Sequence, residues 1–82
     1  MTYADDASRL MKVLVGQRFR IGACHWVVDR SIVAHNHVQL ELSGTTSASL
    51  DFELPDSFDC RSGEHMAWLL SRIEDRLRAR DT

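Results

Sequence analysis

The segment HVQLELSGTTSASLDFELP, residues 37–55, decides the fold. Val38, Leu40 and Leu42 fall on one side of an extended chain, and His37, Gln39, Glu41 and Ser43 on the other. Ser43, Gly44, Thr45 and Thr46 have the composition of a hairpin turn. The alternation then resumes, with Leu50, Phe52 and Leu54 inward and Ser49, Asp51 and Glu53 outward. Pro55, the chain's only proline, has no amide hydrogen to give to a ladder and ends the run. Two adjacent strands with one apolar face therefore form an antiparallel hairpin that must be covered on one side only.

Upstream, Arg18, Phe19, Arg20 and Ile21 alternate in the same way. Gly22 and Ala23 offer a turn or a bulge. The run Trp26–Val33 is β-rich but breaks its alternation, so it is either covered on both faces or bulged. Residues 17–34 make one bent strand or two, and Ala34–Asn36 form the next turn. Towards the N-terminus, Thr2 precedes an acidic turn (Asp5, Asp6), and Tyr3, Ala7, Leu10, Met11 and Leu14 recur at helical spacing up to Gly16. A helix is expected over 3–15. Its apolar arc is widened by Met11, Val13 and Val15, and leftover apolar width on a small domain points to a homodimer.

Downstream, residues 55–62 form a polar loop holding Phe58 and Cys60. Ser62 is placed to cap a helix whose first turn holds Glu64 and whose last turn holds Arg78 and Arg80. Met66, Leu69, Leu70, Ile73 and Leu77 form its apolar stripe, with Leu70 read as central. The expected architecture over residues 1–82 is one small α+β domain of two layers. A three- to four-stranded antiparallel meander carries the N- and C-terminal helices on one face.

The composition excludes several classes. With 82 residues, 44% hydrophobic and 27% charged, the chain is neither disordered nor long enough for two domains. No apolar run approaches the roughly 20 residues of a membrane span, and we expect neither a membrane partner nor a secretory leader. The net charge of −2 gives no general attraction to nucleic acid. Cys24 and Cys60 are too few for a secreted domain this small, which points to reduced thiols and a cytoplasmic address.

No catalytic constellation is visible. His35 and His37 are two apart, Cys60 and His65 five apart, and Cys24 and His25 adjacent, so that on a strand the last pair points to opposite faces. None of these is a CxxC or HExxH spacing, and no glycine-rich phosphate loop is present, so neither metal nor cofactor nor enzymatic activity is expected. Arg18 and Arg20 share one strand face and Arg72, Arg76 and Arg80 run along the last helix. On the sheet, Glu41, Asp51 and Glu53 are expected to repel phosphate or neutralise Arg18 and Arg20 across strands.

Trp68 is the exception to this bland surface. At about 100° per residue it falls about 200° from Met66, nearly opposite the apolar stripe, among Glu64, Arg72 and Asp75. A tryptophan backed by arginine on a polar face has the composition of an interface anchor. Two competing explanations are that Phe58 folds over the indole, or that Arg72 stacks on it with no partner involved. We therefore expect a protein-binding module, an inhibitor or adaptor, whose contact residues are Trp68, Arg72, Asp75, Glu64 and Arg61. The alternative is a nucleic-acid-associated regulator using Arg18, Arg20 and the C-terminal arginines, with the sheet face of Arg18, Arg20, Glu41, Asp51 and Glu53 as its surface. A third is a small metal protein or enzyme. In size and mild acidity the chain is similar to compact α+β inhibitors of phages and mobile elements, anti-CRISPR proteins among them, with no motif behind the likeness.

Overall fold

In a computed structural model, which describes residues 4–81, the chain forms helix α1 (Ala4–Leu14) and strands β1 (Arg18–Ile21), β2 (Cys24–Ala34), β3 (His37–Ser43) and β4 (Ser47–Glu53). Helix α2 (Gly63–Asp81) follows. The strands pair antiparallel in chain order, β1-β2-β3-β4, giving the α+β meander expected, with four strands. The expected roles of Thr2 and Tyr3 fall outside the described residues.

Each strand buries every second residue. Phe19 and Ile21 of β1, Val38, Leu40 and Leu42 of β3, and Ala48, Leu50 and Phe52 of β4 all enter one core. The broken alternation of residues 26–33 is a bulge. Val28 pairs with Leu42 and Arg30 with Glu41, leaving Asp29 as the extra residue. Trp26 and Val28 before the bulge, and Ser31 and Val33 after it, thus all face inward. Residues 18–34 are two strands, joined at Gly22, whose φ of +60° suits a residue without a Cβ. The β2–β3 turn is two residues, His35–Asn36, and His35 takes the φ of +57° that the tight reversal requires. Asn36 is buried behind it: its Nδ2 donates to Asp56 Oδ1, and its carbonyl accepts from the Leu54 amide at 2.7 Å.

Helix α1 stops at Leu14, a residue short of the expected end. Gly16, at φ +88°, turns the chain, and its amide donates to the Val28 carbonyl at 2.8 Å. Leu10 and Leu14 are fully buried and α1 packs against β2, where Ser31 Oγ donates to the Met11 carbonyl at 2.7 Å. Val13 and Val15 remain exposed, while Met11 packs partly on the core.

Helix α2 begins where expected. Ser62 Oγ accepts the His65 amide at 3.3 Å, the geometry of an N-cap bonding N3. Its stripe is rolled relative to the sequence reading. Leu69, Ile73 and Leu77 are fully buried, whereas Met66 and Leu70 lie along one edge, partly exposed. Leu70 is therefore not the central core residue. A four-residue spacing selects the row that seats deepest on the sheet, and the Leu69 row occupies it. Among the described residues no helix is long and apolar enough to cross a membrane.

Candidate functional site: the Trp68 face of the last helix

The roll of α2 leaves Trp68 on the outer side, 43% exposed. It does not stand free. The 55–62 loop folds back through the bond from the Phe58 amide to the Pro55 carbonyl (2.9 Å) and buries Phe58 beneath the helix start. The Phe58 ring lies 6.2 Å from the Trp68 ring at 52° and 5.8 Å from the His65 ring. The Asp59 amide donates to His65 Nδ1 at 2.8 Å, which fixes the imidazole against the loop. On the far side, the Arg72 guanidinium carbon lies 6.0 Å from the Trp68 ring centroid. Both competing explanations for the tryptophan thus describe real contacts, yet nearly half of the indole still meets water. Beside it Pro55, Ser57, Phe58, His65 and Trp68 line an open recess of about 220 Å³.

The other expected contact residues divide. Glu64 is exposed in the first turn of α2. Asp75 is exposed but within 3.9 Å of Arg78, which also reaches Glu74 at 3.7 Å. Arg61 is turned towards the N-terminal helix, with Nη2 3.2 Å from Asp6 Oδ1, so part of its charge serves an internal tie between loop and α1. Arg76, one of the arginines of the alternative nucleic-acid reading, is committed to the sheet: Nη2 donates to the Asp51 carbonyl at 3.1 Å and the guanidinium lies over Phe52.

The sheet's outer face departs from expectation. Strand order puts Arg18 and Arg20 on one edge strand and Asp51 and Glu53 on the other, so no cross-strand neutralisation of that pair occurs. Glu41 instead sits opposite Arg30. Asp51 and Glu53 hold His37: its Nε2 is 3.2 Å from Asp51 Oδ1 and its Nδ1 3.2 Å from Glu53 Oε1. Only the imidazolium can donate to both carboxylates, so Glu53 first, and then Asp51, raise the His37 pKa above its ordinary value. Nothing in the spacing of 37, 51 and 53 announces this clamp. It follows from register, which sets His37 opposite Glu53 and Gln39 opposite Asp51.

The metal-candidate residues are dispersed or otherwise engaged. Exposed His35 forms the turn, Cys24 Sγ faces Thr45 Oγ1 at 4.0 Å, and Cys60 Sγ faces the Asp6 carbonyl at 3.9 Å. Both cysteines are free, and among the described residues no three His, Cys, Asp or Glu side chains converge as a metal site would need. No family model, curated protein or solved structure matches this chain.

Proposed function

We propose that the chain is a non-enzymatic module that binds a partner protein through the Trp68 face, acting in the cytoplasm as an inhibitor or adaptor. The supporting observation is the half-exposed indole, braced between Phe58 and Arg72 at the rim of an apolar recess. A braced aromatic loses little side-chain freedom on docking, and the recess gives a partner's apolar side chain a place to enter. Glu64, Arg72 and Asp75 supply a polar rim that sets register and association rate more than affinity. The small inhibitors of phages and mobile elements are the functional class nearest to this reading.

The test uses the wild-type chain, Trp68→Ala and Arg18→Ala/Arg20→Ala as parallel baits in host extract, followed by titration with the purified partner. Trp68→Ala should weaken binding by about 2 kcal/mol, roughly thirty-fold, with the arginine variant unchanged. A folded Trp68→Ala protein that binds the same partner with wild-type affinity would refute the reading. The unopposed Arg18 and Arg20 favour one second reading, nucleic-acid association. That reading requires an affinity falling steeply with salt, whereas an aromatic-centred contact is nearly flat.

A further inference from the structure

On the outer face of the sheet Arg18 and Arg20 stand at one corner, and Asp51 and Glu53, with His37 held between them, stand at the diagonally opposite one. Register sets Arg18 level with Val27, Ser43 and Ser47, while Glu53 is level with His37 at the far end of β4. Three inter-strand steps separate β1 from β4, about 14 Å, and the six residues from Ser47 to Glu53 add about 20 Å along the strand. Arg18 is therefore about 25 Å from Glu53, several times the Debye length of about 8 Å at physiological salt. The two corners do not neutralise each other within one molecule. Between them Arg30 and Glu41 sit opposite one another next to the exposed bulge residue Asp29, and Ile32, 38% exposed, lies further along β2 opposite Gln39.

A surface with one basic and one acidic corner is complementary to itself. We infer that this face is a self-association surface whose occupant is a second copy of this chain, docked sheet on sheet about a two-fold axis. For Arg18 and Arg20 of one copy to meet the acidic corner of the other, the axis must lie in the interface, perpendicular to the charge diagonal. That diagonal is inclined by about 35° to the strands, so the two sets of strands cross at about 70°, near the orthogonal class of sheet packing. The opposite choice, an axis along the diagonal, sets like charges together. Ile32 supplies the apolar part of the contact. Both helices lie on the other side of the sheet, so the Trp68 face stays free in the dimer. A single four-stranded face is small, so the dimer is weak, with a dissociation constant on the order of 100 µM, and salt-sensitive.

Sedimentation of the full chain up to about 1 mM, at about 50 mM and about 500 mM salt, reads this directly. Wild type should dimerise at low salt and weaken at high salt. Arg18→Glu/Arg20→Glu and Asp51→Lys/Glu53→Lys should each weaken self-association at least about tenfold when alone. Their equimolar mixture should form a heterodimer at least as tight as the wild-type dimer, since every reversed corner then meets its complement. Circular dichroism checks that each variant is folded. Should the lysine variant unfold because His37 loses both carboxylates, Asp51→Asn/Glu53→Gln keeps acceptor oxygens there and should still weaken the dimer. Trp68→Ala should leave it unchanged. A wild type that stays monomeric at low salt, a mixture of folded variants that stays monomeric, or a dimer abolished by Trp68→Ala overturns the inference.

Discussion

Truncating Trp68 to alanine should cost stability in an intermediate amount, and that amount is the sharpest check on its placement. A fully buried tryptophan removes up to about 250 Å² from water. With 43% of the residue exposed, a little over half of that, about 140 Å², is covered. At about 25 cal/mol per Å² this is about 3.5 kcal/mol, and a compact unfolded state plus the surface alanine retains bring it to about 2 kcal/mol. Contacts with Phe58 and Arg72 add about 0.5 kcal/mol more. Trp68→Ala should therefore lose about 2 to 2.5 kcal/mol in urea denaturation, and Trp68→Phe about 1 kcal/mol. The wild-type total for so small a domain is itself only about 5 kcal/mol, so any binding comparison belongs at a temperature where the variant remains folded. A loss under about 0.5 kcal/mol would mean that the indole rests on nothing. A loss above about 4 kcal/mol would mean full burial, which removes it as a docking anchor.

Three further outcomes follow from the geometry. Leu69→Ala should cost about 3 kcal/mol and Leu70→Ala about 1 kcal/mol; equal losses in denaturant melts would show α2 rolled back towards Leu70. Gly44→Ala should lose about 1 to 3 kcal/mol, because a Cβ there would meet the His25 carbonyl oxygen at 2.8 Å and the Trp26 ring at 3.1 Å; wild-type stability would show that the turn does not press on Trp26. His37 should titrate above its ordinary value of about 6.5 in an NMR pH series. Because the raised value favours the protonated folded state, its contribution to stability is complete below the unfolded pKa and fades as pH rises through the folded one. Asp51→Asn/Glu53→Gln should return the His37 pKa towards normal, and an unchanged value would rule out the clamp.

The sequence makes the meander legible because period-two burial is a local signal, repeated in residues 18–21, 38–42 and 48–54. The cap at Ser62 and the breaks at Gly16 and Pro55 are local too. What could not be read depends on how elements meet. The roll of α2 by one residue row is decided by its seating on the sheet, and the helical wheel is nearly indifferent between the rows of Leu69 and Leu70. The charge layout of the outer face depends on strand order: Arg18 and Asp51 each lie on the polar side of their own strand, and the order β1-β2-β3-β4 sends them to opposite edges. Trp68 lay between the two cases. Its angle on the helix predicted exposure, while the contact with Phe58 required knowing where the 55–62 loop turns back.

The strand order also governs how the chain can acquire this shape. Every strand pairs with its sequence neighbour across a short reversal, so each ladder closes a small loop and pays little entropy before its contacts are made. The β2–β3–β4 unit can zip from its two turns without waiting for distant chain. Helix α2, last in sequence, is then a cover laid on a sheet that already exists. During synthesis that sheet emerges with its apolar face covered only in part, by α1, and Leu69, Ile73 and Leu77 arrive to close the rest. The interval before they arrive is when the growing chain is most exposed to aggregation.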